Sequence, residues 1–507
     1  MTLVQQTEHN VTDSTAIDPK VHYNHRVRAG ELSGDNLVQL RETLRDLTTR
    51  IPKLGSSLGG DIDLLLEVPE EQREPILSQI VEYAAHSEDS FLPLNNHARV
   101  YVNENCYSFI ETFNSHQGDK VLFISGRPYF QILREALALR DKGYMTAIVY
   151  LAQVNDDIAT MISESFDLAL ELPKNLLMLG HILADISTDL IHVQCWMHNN
   201  NLPISRFVLE QKGDAKVICE FYDILTVYSD KTAMEQYSPE YTDFMFEIDR
   251  FVWTHGDAFL LRAPEEAHID LRTRYKFTSP IIEMYPFPSK RFTRYRDDEN
   301  YKPSDQPRIV LAGSLMPRNA DGSIDWPRYS AGVGTLTAIE SILAQGLEVT
   351  VFHDPHKPLS NPEFGSYFEI ARARGNLRLL DGVPPNKLSE SLKEFDFGIS
   401  LAALDPNALD VRPLHFRTAV GTKLFGYLEA GIPIIVNKEN EYIAHIVESN
   451  GLGFAVHTSE FDEIADRIAA FDYPECVRNI KKYNEAHSMD REINRVTDLY
   501  VSLSTKT

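Results

Sequence analysis

Short, continuous apolar runs alternate with segments of helical periodicity along most of this chain. KVLFISGRP (120–128) is a run of this kind that ends in a Gly/Pro turn, the form of a strand buried on both faces. The segment Tyr129 to Lys142 then reads as a helix, and the alternation repeats. MTAIVYL (145–151), FDLALEL (166–172), DLIHVQCW (189–196), KVICEFY (216–222) and DAFLLR (257–262) are strand-like, with helical stretches between most of them. A second series opens at RIVLAGSLMP (308–317) and continues through LEVTVFHD (347–354), NLRLLDG (376–382), FDFGISLA (395–402) and IPIIVNK (432–438). Repeated strand–helix units imply parallel sheets with helices on both faces. Two series predict two doubly wound, Rossmann-like domains facing a cleft.

The expected boundaries follow from changes of texture. Residues 1–30 carry little apolar material and read as a mobile tail. Residues 31–117 read as a helical extension, because Leu37, Leu40, Leu44 and Leu47, and again Ile76, Ile80 and Tyr83, recur at helical spacing. The first Rossmann-like domain is expected over 118–288 and the second over 289–471, with Pro286 and Pro288 stiffening the connection. Residues 472–507 close the chain as a helical segment that crosses back to brace the first domain.

Length agrees with this division, since 507 residues exceed what one hydrophobic core organises. The net charge of −25 would repel a nucleic-acid backbone, so no nucleic-acid partner is expected. Cys106, Cys195, Cys219 and Cys476 are far apart, which signals neither a disulfide framework nor a structural zinc site. No metal cluster is evident, and no metal or cofactor is expected. The N-terminus lacks the pattern of a secretory signal and no apolar run approaches the ~20 residues that span a bilayer, so a cytoplasmic location is expected.

The densest chemical signal runs from His415 to Val436: a loop, a helix opening near Gly421 or Thr422, a stop at Gly431 and a buried strand. A helix start offers unpaired N–H groups and the positive end of the dipole, where a diphosphate can sit, and Arg417 and Lys423 add charge. A plain helix–strand connection with a solvated lysine is the alternative reading.

At these residues the chain resembles the GT-B glycosyltransferases, specifically the family four-like group whose donor domain carries a P/T-K-L-F-E/D-Y-L-x-A-G-x-P-V-I segment. DGVPPNKLSESLKEFDFGISL (381–401) and AGSLMP (312–317) are similar to further stretches of that donor domain, and CEFYDI (219–224) and DRFVWTHGDAFLLRAPEEA (249–267) to its acceptor domain. The resemblance implies a nucleotide-sugar donor in the C-terminal domain, held by Gly313, Ser314, Arg318, Arg417, Gly421, Thr422, Lys423, Tyr427 and Glu429. It implies an acceptor (a glycan, lipid or protein) in the N-terminal domain. Departures bear on the ribose contacts: the two glutamates common in the group fall at Thr418 and Gly426 here, and Glu429, nearly one turn on, is expected to face solvent.

Sugar transfer requires a group that takes the acceptor proton or shields the reacting face. Asp223, at the carboxyl end of the KVICEFY strand, is the first candidate for a general base, with a turn or capping role as the alternative. His198, on the loop after DLIHVQCW, is the second, with an exposed loop histidine as its alternative. Asp61 and Asp63 have DxD spacing but lie in the extension, where chance explains them. The basic stretch from Arg272 to Arg296 reads as a solvated face near a domain hinge, with an anionic membrane surface or the donor diphosphate as alternative partners. Two other activities remain open at this stage: a nucleotide-sugar epimerase or hydrolase of the same fold, and a non-catalytic binding or scaffold protein.

Overall fold

The computed structural model describes residues 96–152, 154–172, 176–196, 201–229, 231–235, 239–298, 301–313, 315, 330–353, 359–360, 364–402 and 412–504. Asp61, Asp63, His198, Ser314 and Arg318 lie outside these residues, as do the expected tail and most of the expected extension.

Two all-parallel sheets organise the chain. The first has seven strands in the order β3-β2-β1-β4-β5-β6-β7: β1 (Lys120–Ser125), β2 (Met145–Tyr150), β3 (Leu168–Glu171), β4 (Leu190–Cys195), β5 (Lys216–Phe221), β6 (Ala258–Leu261) and β7 (Ile281–Glu283). The second has six in the order β10-β9-β8-β11-β12-β13: β8 (Arg308–Ala312), β9 (Glu348–Phe352), β10 (Leu377–Leu380), β11 (Phe397–Ser400), β12 (Ile434–Asn437) and β13 (Gly453–Val456). Each sheet is doubly wound, with its switch point between β1 and β4 in the first and between β8 and β11 in the second. This is the GT-B arrangement. β7 and β13 were not foreseen, because each is only three or four residues long at a sheet edge, too short to show a period.

Five helices position the site: α1 (Asn96–Ser115), α2 (Phe130–Asp141), α3 (Glu265–Tyr275), α4 (Lys423–Ala430) and α5 (Met489–Ser504). Cys106, Phe109 and Phe113 of α1 are buried in the core that also holds Leu122, Val149 and Leu170, so this end of the expected extension belongs to the first domain. α5 crosses back as expected: Met489 N donates to Pro288 O at 2.9 Å, and Tyr500 meets Tyr144 edge-on.

The two domains share one apolar core along this side. It runs without a break from Phe123, Ile132 and Ile148 through Tyr285 and Phe287 to Phe425, Ile434 and Val436. Inside it lies an ion pair between domains: Arg134 of α2 grips Glu429 of α4 in a two-pronged contact at 2.5 and 2.9 Å, and Ser289 N adds a third bond to Glu429 at 2.9 Å. Arg134 is 5% exposed and Glu429 is 1% exposed. Glu429 therefore does not face solvent, and its side chain is taken up by Arg134 and Ser289 rather than offered to a donor. The fork of a guanidinium matches a carboxylate with two parallel bonds, which is why the pair survives burial.

The basic stretch is likewise mostly paired. Arg291 meets Asp141, Arg294 approaches Glu390, Arg296 bonds Asp396 and Arg274 approaches Asp270, so these cations tie elements together instead of forming one free field.

Removing one partner of a buried pair leaves the other charge uncompensated. Glu429→Ala is expected to lower the free energy of unfolding by ~3–5 kcal/mol, read as an earlier midpoint in equilibrium urea unfolding. A midpoint equal to that of the wild-type chain would mean that the pair does not hold the domains.

Candidate functional site

The switch point of the second sheet gathers the candidate donor residues. Register between β8 and β11 covers Ile309 with Phe397 and Val310 with Gly398, and beyond it the two strands part. Tyr427, from the middle of α4, bridges the gap from beneath: its hydroxyl accepts from Ala312 N at 2.9 Å and donates to Ile399 O at 2.8 Å. Its ring is fully buried, so Tyr427 is not a donor contact; it holds α4 under the point where the strands diverge.

That support places the first residue of α4 above the switch point. Gly313, directly after β8, has φ 148°, and a Cβ built there would overlap Lys423 Cε and stand 3.2 Å from Lys423 Nζ. Glycine is needed for the backbone angle and for this close approach. Gly421 comes near Ser400 at the end of β11, where a Cβ would stand 3.8 Å from the serine hydroxyl. Thr422 is the residue before α4, and the helix stops at Gly431 in the left-handed conformation with φ 72°, as the sequence predicts. Gly313, Gly421, Thr422 and Lys423 are thus brought together.

Lys423 is only partly open to solvent, and among the described residues its ammonium has no carboxylate partner. Burial lowers its pKa to about 8. A partly desolvated cation at the start of a helix and at a switch point is the arrangement that favours an anion in general.

Arg417 lies apart from this group. Its guanidinium pairs with Glu266 of α3 at 2.5 Å, across the domain boundary. Two neighbours make similar contacts. Arg412 bonds Asp270 at 3.2 and 3.3 Å and also Thr226 O, and its own N–H donates to Tyr228 O at 3.0 Å. The His415 ring packs on Tyr228 with centroids 4.2 Å apart.

These contacts bring the second domain against the carboxyl end of β5, where Asp223 sits. Asp223 Oδ1 accepts from Arg262 at 2.6 Å and Oδ2 from the Trp196 indole at 2.9 Å, and its side chain remains 26% exposed. Tyr129, Trp196 and Tyr222 form an aromatic rim beside it, with Arg262 over the Tyr222 ring at 4.7 Å. His415, absent from the sequence-derived candidates, joins this group from the other domain. Burial lowers its pKa to about 4, against the opposing pull of Asp223, so the imidazole is neutral near pH 7. Only its place at the head of the 415–436 segment hinted at it. The switch point of the first sheet, by contrast, is closed by its own side chains: Gly126 N donates to Asn201 Oδ1 at 2.7 Å and Ser125 Oγ to Gln194 Oε1 at 2.5 Å.

No helix of the described residues is long and apolar enough to cross a membrane. Among curated proteins, no sequence match to the chain is found. In solved structures, the chain is similar to an O-GlcNAc transferase from Thermobaculum terrenum, with 13% identity and a TM-score of 0.45 over 96% of this chain and 84% of that one. It is similar to AviGT4, a glycosyltransferase of avilamycin A biosynthesis, with 13% identity and a TM-score of 0.45 over 77% and 99%. A UDP-GlcNAc 2-epimerase from Neisseria meningitidis, solved with UDP-GlcNAc, gives 11% identity and a TM-score of 0.46 over 76% and 99%. Residues 363–493, which include Lys423 and most of the second sheet's later strands, match the family model described as "Glucosyltransferase 3-like, C-terminal domain".

Proposed function

We propose that the chain is a glycosyltransferase that moves a sugar from a nucleotide-sugar in the second domain to an acceptor hydroxyl in the first. The observation that carries this reading is Lys423: a partly desolvated ammonium without a carboxylate partner among the described residues, set at the start of α4 and against Gly313 at the open switch point. A leaving diphosphate supplies the missing negative charge, and the N–H groups at the helix start add donors to its oxygens. The match of residues 363–493 to a glucosyltransferase-like domain supports the same assignment.

Asp223 is the group proposed to receive the acceptor proton. Arg262 and Trp196 fix its orientation at the carboxyl end of β5, where a carboxylate can take the proton of an incoming hydroxyl. The neutral His415 imidazole faces Asp223 from the second domain and is proposed to orient the donor sugar or the acceptor. Closure of the two domains along Arg412, His415 and Arg417 excludes water from the reacting centre, as transfer to an acceptor other than water requires.

The donor is identified by thermal shift with UDP, GDP, ADP, dTDP and CMP on wild-type and Lys423→Met protein. One nucleotide is expected to raise the wild-type Tm and leave the variant unmoved, and at a hundredfold excess over Kd the gain is ~2.7 kcal/mol. The variant without nucleotide is expected to melt at or above the wild-type temperature, because it discards a partly buried charge that has no carboxylate partner among the described residues. Absence of a shift with all five would favour a non-catalytic binding protein.

Affinity for the nucleotide-sugar is expected to be flat below pH 8 and to fall by up to about tenfold per pH unit above it. The sign follows from Lys423: its ammonium is charged below a pKa of about 8, and a bound diphosphate favours that charged form, so the free site loses the proton first as pH rises. Titration calorimetry from pH 6.5 to 9.5 reads this bend, and Lys423→Met should flatten it.

Asp223→Asn is expected to cut kcat by ~10²–10⁴ with little change in nucleotide affinity. Product analysis with the acceptor omitted separates transfer from epimerisation or hydrolysis: free or epimerised sugar formed at the full rate without an acceptor would replace the transferase reading.

A further inference from the structure

Beneath the first sheet's carboxyl edge lies a polar cluster that the proposed transfer does not use. Glu135 of α2, His192 of β4 and Glu220 of β5 are each 0% exposed, and one ligand atom from each falls within 4.8 Å of the others. His192 Nε2 stands 3.1 Å from Glu220 Oε2 and 4.0 Å from Glu135 Oε2. Among the described residues neither Glu220 oxygen has a hydrogen-bond partner, and neither does Glu135 Oε2 or His192 Nε2. Among the described residues no lysine or arginine forms an ion pair with either carboxylate. Four orphaned atoms therefore converge in a fully buried site, where each would be costly unless a positive centre lay among them.

The remaining contacts orient the cluster inward. His192 Nδ1 is 2.9 Å from the Tyr500 hydroxyl of α5, so with Nδ1–H donating to Tyr500 the Nε2 lone pair points at the carboxylates. Glu135 Oε1 accepts from Gln131 Nε2 at 3.1 Å, which leaves Oε2 aimed at the same point. We propose that Glu135, His192 and Glu220 bind a divalent first-row transition cation such as Zn²⁺ or Mn²⁺. One imidazole and two carboxylates are the donor set that suits these ions rather than Ca²⁺ or Mg²⁺, and two negative charges balance the cation. The ligand atoms are spaced for bonds of roughly 2.0–2.5 Å after small shifts, and the second Glu220 oxygen provides a further coordination position.

The site is closed to substrate, so its role is structural. It ties α2 to two neighbouring strands and, through Tyr500, to the C-terminal helix that crosses between the domains. The sequence predicted no metal, because the three ligands lie on separate elements at 135, 192 and 220 and form no short motif.

The test uses the full chain, stripped with EDTA and then dialysed against Zn²⁺ or Mn²⁺, with bound metal measured by mass spectrometry and Tm by calorimetry. About one ion per chain is expected, together with a rise in Tm. Glu220→Gln, which keeps the shape and removes one charge, should return bound metal to background. Tyr500→Phe keeps all three ligands and should weaken affinity by about tenfold or more. Wild-type protein that takes up no more metal than Glu220→Gln, or whose Tm neither ion moves, would overturn the site. Should Glu220→Gln fail to fold, the Tyr500→Phe affinity decides: equality with the wild type would overturn the site.

Discussion

The buried contact between Arg134 and Glu429 is the constraint on which the geometry of the cleft depends. Glu429 lies near the end of the same eight-residue helix that begins with Lys423, and Arg134 lies on the first helix after β1. A bond at one end of a short, rigid helix fixes the other end. The lysine above the second sheet is thus referenced directly to the first domain. The continuous apolar core around the pair has the same effect, because close-packed side chains do not deform gradually. The domains are joined by this core and pair, and again where Arg412 and Arg417 meet Asp270 and Glu266.

The two switch points have been finished differently, and the difference has a physical meaning. In the first domain, Asn201 and Gln194 bond the groups around Ser125 and Gly126, so the usual ligand position is filled by the protein itself. In the second domain, Tyr427 satisfies the parting strands from below and leaves the space above to Gly313, Gly421 and Lys423. The proposed diphosphate is placed at the second for that reason. What remains on the first domain's rim is an oriented carboxylate, Asp223, beside three aromatic rings.

Much of the architecture was legible in the pattern of apolar positions. Strands buried on both faces read as continuous runs such as KVLFIS and IPIIV, and they lie where those runs predict. Lys423, Gly313 and Gly421 were legible too, since a glycine turn and a helix start are local features. The fate of Glu429 was not. On a helical wheel it resembles a solvated glutamate, and only the fold brings Arg134, distant in sequence, against it. Tyr427 misled for a related reason: its place in the motif says nothing of which way the ring points, and the structure turns it under the sheet.

By itself the sequence determined the local quantities: most of the strands and helices, though not the edge strands β7 and β13, the glycine stop at 431, the alternation that yields two doubly wound sheets, and the presence of a lysine at a helix start. The tertiary structure alone decided which polar groups find partners. It sent Arg417 to Glu266, set His415 beside Asp223, buried Glu429 on Arg134 and gathered Glu135, His192 and Glu220 in one dry site. The reason is the range of the forces. Backbone geometry and hydrophobic period act over a few residues and are written along the chain. Desolvation and charge pairing depend on neighbours in space, and those exist only once the chain has folded.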